Sequence, residues 1–251
     1  RLPSLVSRKT NGERLSVNEL FMNIGGKVAL VTGGGTGVGA ATARLLASKG
    51  CRVVVNYRKS EEDAEQVVAS IAETGGEAFA CQGDVAVDAE ARAIVEATRD
   101  GFGRLDVLVN NAGITEFIPF DDLEAVTDEV WGRLYQENVV GAFHCARASA
   151  VVMRETCGED GAEIVNVGSI AGIKATGSCM PYAASKAALH NLTVALARTL
   201  APTIRVNAVA PGFITGRWLK DGLGEGYEET KTAFEKAMPL QAVCEPEDVA
   251  A

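Results

Sequence analysis

Tyr182 and Lys186 stand four residues apart in a stretch, Pro181 to Leu200, that reads as a helix. Residues four apart on a helix share one face. A free phenol titrates near pH ~10 and exchanges protons poorly at neutral pH. An ammonium on the same face, joined by a second positive charge bound beside it, stabilises the tyrosinate and lowers that value. Such a pair can pass a proton to or from an oxygen whose bonding changes. Each residue also has an ordinary reading, Tyr182 as a helix start after Pro181 and Lys186 as a surface charge. Alone they would be unremarkable.

A second constellation gives them something to act on. Thr32-Gly33-Gly34-Gly35-Thr36-Gly37-Val38-Gly39 follows an apolar strand, Val28 to Thr32, and opens a helix, Ala40 to Ser48. Glycines permit a tight turn and let backbone approach a pyrophosphate at the positive end of a helix. Glycines also make plain turns, and the strand–turn–helix setting raises the phosphate reading above that. An NAD site places a carboxylate about 20 residues further on, whereas an NADP site places Arg there. Here the second strand, Arg52 to Asn56, runs into Tyr57-Arg58-Lys59 with no carboxylate before Glu61. Two cations suit a 2′-phosphate by charge and by the guanidinium fork. NADP is therefore the expected cofactor and NAD the alternative. The ordinary reading is a solvated basic turn offset by Glu61 and Glu62.

The elements that must position these residues alternate along the chain. Ser60 and Asp63 resemble a capping box for a helix that Gly75-Gly76 ends. Further strands are expected at Ala78 to Gln82, Leu105 to Asn110, Glu163 to Val167 and Ile204 to Val209, with helices at Asp88 to Asp100 and, as one long element, around Val130 to Arg154. Short valine-rich strands between helices mean parallel βαβ units covered on both faces. The expected fold is α/β, a single doubly wound Rossmann-type domain with a mostly parallel sheet. Residues 1–21 read as a disordered tail and residues 22–251 as the catalytic domain. Gly212 to Gly226 breaks the alternation and reads as a mobile flap.

Composition narrows the chemistry. A net charge of -9 disfavours nucleic acid and anionic membranes, both of which need a basic surface. No apolar run approaches the ~20 residues of a membrane helix. The six cysteines include no close pair and there are only two histidines, so no metal site is expected. Reduced thiols point to the cytoplasm.

Taken together, T-G-x-x-x-G-x-G at Thr32 to Gly39, N-N-A-G at Asn110 to Gly113, and Tyr182-Ala183-Ala184-Ser185-Lys186 resemble the short-chain dehydrogenase/reductase family. Ser169 lies 13 residues before Tyr182, the family's usual spacing. Asn138 matches its central-helix asparagine and Pro211-Gly212 the motif after its sixth strand. The resemblance runs from about Gly26 to the last residue. It implies hydride transfer between a nicotinamide and a ketone or secondary alcohol, with Asn138, Ser169, Tyr182 and Lys186 as catalytic tetrad and Tyr182 as acid/base. Ser169 would orient the substrate oxygen, Lys186 would hold the nicotinamide ribose, and Asn138 would anchor a water linking Lys186 to solvent. Thr32, Gly33, Gly37, Val38 and Gly39 would line the pyrophosphate, Tyr57 and Arg58 the 2′-phosphate, and Asp84 and Val85 the adenine. Asn110, Ala112 and Gly113 would support the ribose, and Pro211, Gly212 and Ile214 the nicotinamide amide.

The resemblance also implies a homo-oligomer, tetramer or dimer, and a small-molecule carbonyl or alcohol partner. Glu245 to Ala251 resemble the start of the family's last helix, and the final strand that normally follows is not in this sequence, either because the sequence stops short of it or because an edge has been lost. Reductases of 3-oxoacyl groups on acyl carrier protein are similar in style, but their basic patch is replaced here by the largely acidic Arg154 to Asp160, with Arg198 alone favouring such docking. Carrier-linked and free substrates thus rank level. A non-catalytic cofactor-binding protein is the remaining alternative, disfavoured because both Tyr182 and Lys186 are present. His144 and His190 read as structural, Cys179 as a possible pocket lining, and Trp218 as either a substrate contact or packing.

Overall fold

Valine recurs in β1 (Val28–Val31), β2 (Arg52–Tyr57) and β4 (Val107–Asn110), where a β-branched side chain suits the pleat. In the computed structural model, which describes residues 24–251, they join β3 (Ala78–Gln82), β5 (Ala162–Val167) and β6 (Ile204–Val209). The sheet order is β3-β2-β1-β4-β5-β6, and every pair is parallel. All four residues of β1 are wholly buried, as a central strand covered on both faces must be.

The helices are α1 (Gly37–Ser48), α2 (Glu61–Glu73), α3 (Asp88–Phe102), α4 (Asp128–Tyr135), α5 (Gly141–Thr156), α6 (Ala171–Lys174), α7 (Met180–Leu200), α8 (Arg217–Leu223), α9 (Tyr227–Ala237) and α10 (Pro246–Ala250). Strand alternation sorts the core into two layers. Val31, Val53, Val55 and Val109 pack with Ala43 and Ala47 of α1 and Val67 and Ile71 of α2. Leu30, Val54, Leu108 and Ile164 pack with Ile94 of α3, Met153 of α5 and Leu196 of α7. The strand order reverses between β1 and β4, and a crevice opens at the carboxyl ends of the strands there. Among the described residues the sheet ends at β6, and no helix is long and apolar enough to cross a membrane.

Three expectations change. The long helix around Val130 to Arg154 is interrupted by a π-helical turn, Gln136–Val140, that joins α4 to α5. This wider turn contains Asn138, whose amide brackets the backbone of Ile114. It ends at Gly141, where a Cβ would stand 2.9 Å from Val85. The capping box at Ser60 does not form, since Ser60 makes no side-chain cap bond. Glu61, Glu62 and Asp63 in the first turn of α2 favour the positive helix end instead. The stretch 212–226 contains a helix, α8. The tail expected at residues 1–21 lies outside the described residues.

Candidate active site

The glycine turn is held from three strands. Thr32 donates its hydroxyl to Val109 O (3.3 Å) and accepts from the backbone N–H groups of Asn111 and Ala112 (3.0 Å each). Asn111 Nδ2 donates to Thr32 O (2.9 Å) and Gly33 O (3.0 Å). From β2, Asn56 Oδ1 accepts from Gly33 N–H at 3.3 Å, while its Nδ2 donates to Gly83 O at 3.0 Å. Gly33 and Gly37 adopt φ of +59° and +51°, where a side chain is strained. A Cβ on Gly39 would collide with the Gly33 carbonyl and stand 2.5 Å from Asn111 Nδ2. A Cβ on Gly37 would meet nothing within 4 Å, so the first turn of α1, which also carries half-buried Val38, faces open space. Exposed amides at a helix start beside open space fit a pyrophosphate.

At the end of β2, Tyr57 is buried and its hydroxyl donates to Glu61 (3.2 Å). Arg58 does not stand free as the basic-turn reading expected. Its guanidinium pairs with Glu137 and reaches Asp84 Oδ2 at 3.4 Å. Burial would lower its pKa, but the two carboxylates outweigh that and raise it. Asp84 itself accepts from Ala86 N–H (2.9 Å), and the Val85 carbonyl meets His144 Nδ1 at 3.1 Å. Arg58, Lys59, Asp84, Ile114 and Glu137 line one cavity of about 380 Å³. A second cavity, about 490 Å³, is lined by Thr215, Lys220, Tyr227 and Glu245, and neither cavity is lined by the four catalytic candidates. The smaller one is the more informative, because it adjoins the residues that would meet an adenosine phosphate.

The four catalytic candidates converge at the carboxyl ends of β4 and β5. Lys186 is 4% exposed, and its ammonium donates to Val167 O at 2.9 Å. Burial pushes it down to about 8. Its Nζ lies 5.7 Å from the centre of the Tyr182 ring. The Asn110 to Gly113 turn is adjacent: a Cβ on Gly113 would stand 3.6 Å from Lys186 Nζ and 3.0 Å from Asn138 Oδ1. Ser169 Oγ accepts from Ala171 N–H (3.1 Å), and its hydroxyl lies close enough to the Tyr182 phenol to favour the tyrosinate. The phenol is pushed up by burial, with the nearby Ser169 hydroxyl lowering it and Cys179 raising it. Desolvation of the tyrosinate dominates here, whereas the lowering expected above draws on Lys186 and a bound nicotinamide together.

Asn138 is held on both sides by protein groups. Its Oδ1 accepts from Ile114 N–H (2.8 Å), and its Nδ2 donates to Ile114 O and to Ser185 Oγ (3.0 Å each). Ser185 Oγ in turn donates to Tyr182 O (2.8 Å). Both amide hydrogens are therefore used, and only the second lone pair of Oδ1 is left for a water. Asn110 supports the sheet, donating to Asn166 Oδ1 (2.9 Å) and Ala142 O (3.2 Å). Pro211 O accepts from Ile170 N–H (2.9 Å), which ties the loop after β6 to the Ser169 loop, and Gly212 lies against Ile170. Ile214 pairs with Cys244. Cys179 is wholly buried, and His144 Nδ1 bonds to the Val85 carbonyl.

Sequence reasoning missed Asn56, Asn111, Glu137 and Ser185. The doubled asparagine at 110–111 was the available signal for one of them. Asn56, Glu137 and the Asn138 bond of Ser185 act across long separations that no local pattern displays.

The comparisons with known proteins agree with this geometry. Residues 27–222 match the family described as short chain dehydrogenase. A Streptomyces violaceoruber protein named as a ketoacyl reductase of granaticin polyketide synthesis is 40% identical over 89% of this chain and 86% of its own. A 3-oxoacyl-[acyl-carrier-protein] reductase of Synechocystis is 42% identical over 75% of this chain and 74% of its own. A crystal structure from Burkholderia xenovorans, described as a short-chain dehydrogenase/reductase, superposes with a TM-score of 0.82 at 33% identity, covering 89% of this chain and 87% of that one. With the glycine turn, the Ser169–Tyr182–Lys186 cluster and these likenesses together, the chain belongs to the short-chain dehydrogenase family of oxidoreductases.

Proposed function

We propose that this protein is an NADPH-dependent reductase of ketones, reversible toward secondary alcohols, with Tyr182 as the acid that protonates the substrate oxygen. The observation that carries this reading is the convergence of Ser169, Tyr182 and buried Lys186 beside the Asn110 to Gly113 turn. A bound nicotinamide would supply the hydride. The protein's own residues do the rest. Ser169 receives the Ala171 N–H and keeps its own hydrogen for a phenol or substrate oxygen, which orients the carbonyl. Burial keeps the Tyr182 proton in place until that oxygen gains charge. Lys186, anchored on Val167 O, sits within reach to steady the tyrosinate that results.

The cofactor preference rests on Arg58 and Lys59. Arg58 is held by Glu137 and Asp84, and a 2′-phosphate would have to draw it away from them. Lys59 lines the same cavity and adds a second cation. Arg58→Ala should lower the NADPH-over-NADH ratio of kcat/KM about tenfold. An unchanged ratio would remove Arg58 from the assignment.

A second reading, reduction of 3-oxoacyl groups on acyl carrier protein, is favoured by the names of the relatives and opposed by the acidic stretch at Arg154 to Asp160. Tyr182 and Lys186 are both in place, which opposes a non-catalytic role. Steady-state oxidation of NADPH over a panel of ketones and a 3-oxoacyl thioester tests all of these. Tyr182→Phe should cost about 10²- to 10⁴-fold in kcat with dinucleotide affinity retained. Turnover that survives this change would defeat the mechanism. The cytoplasm and a homo-oligomer remain part of the proposal, the former supported by free thiols at all six cysteines.

A further inference from the structure

Helix α8 reaches both banks of the crevice and touches the catalytic tyrosine on the way. At its first turn, Arg217 Nη2 pairs with Asp63 Oδ2 of α2 at 2.8 Å. Next to Arg217, the Trp218 ring stands edge-on to Tyr182, with centroids 6.4 Å apart and planes at 89°. One turn further on, Gly222 has no Cβ because the Phe117 ring occupies that space. Phe117 belongs to the segment that Asn138 brackets at Ile114, and Ile118 N–H donates to Ser178 O at 3.0 Å just before α7. Thr115 and Ser178 meet through their hydroxyls. The phenol therefore has an indole beside it and, across the crevice, a loop carrying an aromatic ring and a mutually paired couple of hydroxyls.

No residue of α8 is buried, and Trp218 keeps 51% of its surface exposed. An indole placed for core packing would be covered. This one contacts the proton donor while half its apolar surface stays in water, and covering that surface is favourable. The edge-to-face contact with Tyr182 fixes its orientation, and the Arg217–Asp63 pair fixes where α8 begins.

We propose that Trp218 is a specificity-determining residue, and that the substrate class is ketones with an aryl or other flat apolar group next to the carbonyl. The substituent packs against the indole when the carbonyl oxygen lies at Tyr182. Small aliphatic ketones and polyhydroxylated substrates leave the indole uncovered and bind less well. This rests on the proposed role of Tyr182 as the acid.

The test compares wild type, Trp218→Ala and Trp218→Phe with NADPH and two substrates, the bicyclic aryl ketone 1-tetralone and the small linear ester ethyl acetoacetate. Wild type should prefer the aryl ketone. Trp218→Ala should lower the aryl-to-linear ratio of kcat/KM about tenfold, mainly through KM for the aryl ketone, and Trp218→Phe should restore most of it. A purely structural role would lower kcat/KM for both substrates by the same factor and leave the ratio intact, which overturns the proposal. An unchanged ratio with unchanged rates overturns it as well. Wild type inert toward every ketone and alcohol would instead sink the reductase reading, and this inference with it.

Discussion

At the glycine turn, Thr32, Asn56 and Asn111 tie three strands together through at least one hydrogen bond each, and the residues that hold the turn are buried or nearly so. In α8, by contrast, no residue is buried, and its contacts with the rest of the protein include one ion pair and two aromatic approaches. The difference follows from what each must bind. A dinucleotide is the same molecule at every turnover, so backbone can be pre-shaped to it and locked. A substrate side is built from side chains on a thin support, which lets composition change there without disturbing the sheet.

The same substitution placed on each side separates the two. Gly39→Ala should have the largest effect. The new methyl meets the Gly33 carbonyl and the Asn111 amide, neither of which can turn aside because each is fixed in the network around Thr32. We expect about 3 kcal/mol of stability lost and at least tenfold in dinucleotide affinity, read by urea denaturation and by NADPH titration. A variant as stable and as tight as wild type would show that the turn yields, and the contrast with α8 would disappear.

Lys186 sits at the seam between the halves, and there chemistry and stability pull apart. Burial lowers its ammonium from 10.5 to about 8. The folded state therefore carries a cost for the charged form that is fully present below about pH 8, shrinks as pH rises toward 10.5, and vanishes above it. That shift corresponds to roughly 3 kcal/mol, against which the Val167 bond returns about 1 kcal/mol. Lys186→Met should thus be inactive yet more stable by about 2 kcal/mol at pH 7. The advantage should fade between pH 8 and 10.5 in paired urea melts. A variant less stable than wild type at pH 7 would mean that the amine is better accommodated than its burial implies.

How legible all this was in the chain depends on the range of the interaction. The glycine turn, the strands and the Tyr182–Lys186 pair are local, and residues within one turn or one strand announced them. The parallel, doubly wound sheet followed from valine-rich strands alternating with helices, whereas the order β3-β2-β1-β4-β5-β6 is set by long-range pairing that no local stretch displays. Glu137 opposite Arg58 could not be read, because 79 positions separate them and only folding makes the carboxylate a neighbour. The π-helical turn was hidden for a different reason. Helical periodicity continues through Gln136–Val140 with one added residue, and the partner of Asn138 within it, Ile114, lies more than twenty positions away. The upward push on Tyr182 was not legible, because charge proximity is visible in the spacing, whereas desolvation requires knowing what covers the ring.

Gly222→Ala completes the matched pair and should have the smallest effect. Its methyl would also overlap a neighbour, but that neighbour is the far edge of the Phe117 ring. A ring can swing about its own side-chain torsions, while a carbonyl held in a sheet-end network cannot. The clash is therefore relieved by rotating Phe117 and easing α8 outward, at a stability cost below about 1 kcal/mol. The displacement should instead appear in substrate handling, as a few-fold change in KM for bulky ketones with dinucleotide affinity retained. Thermal melts beside KM measurements decide it. A destabilisation equal to that of Gly39→Ala would show α8 to be as rigidly built as the glycine turn, and the division between a locked cofactor side and a yielding substrate side would have to be abandoned.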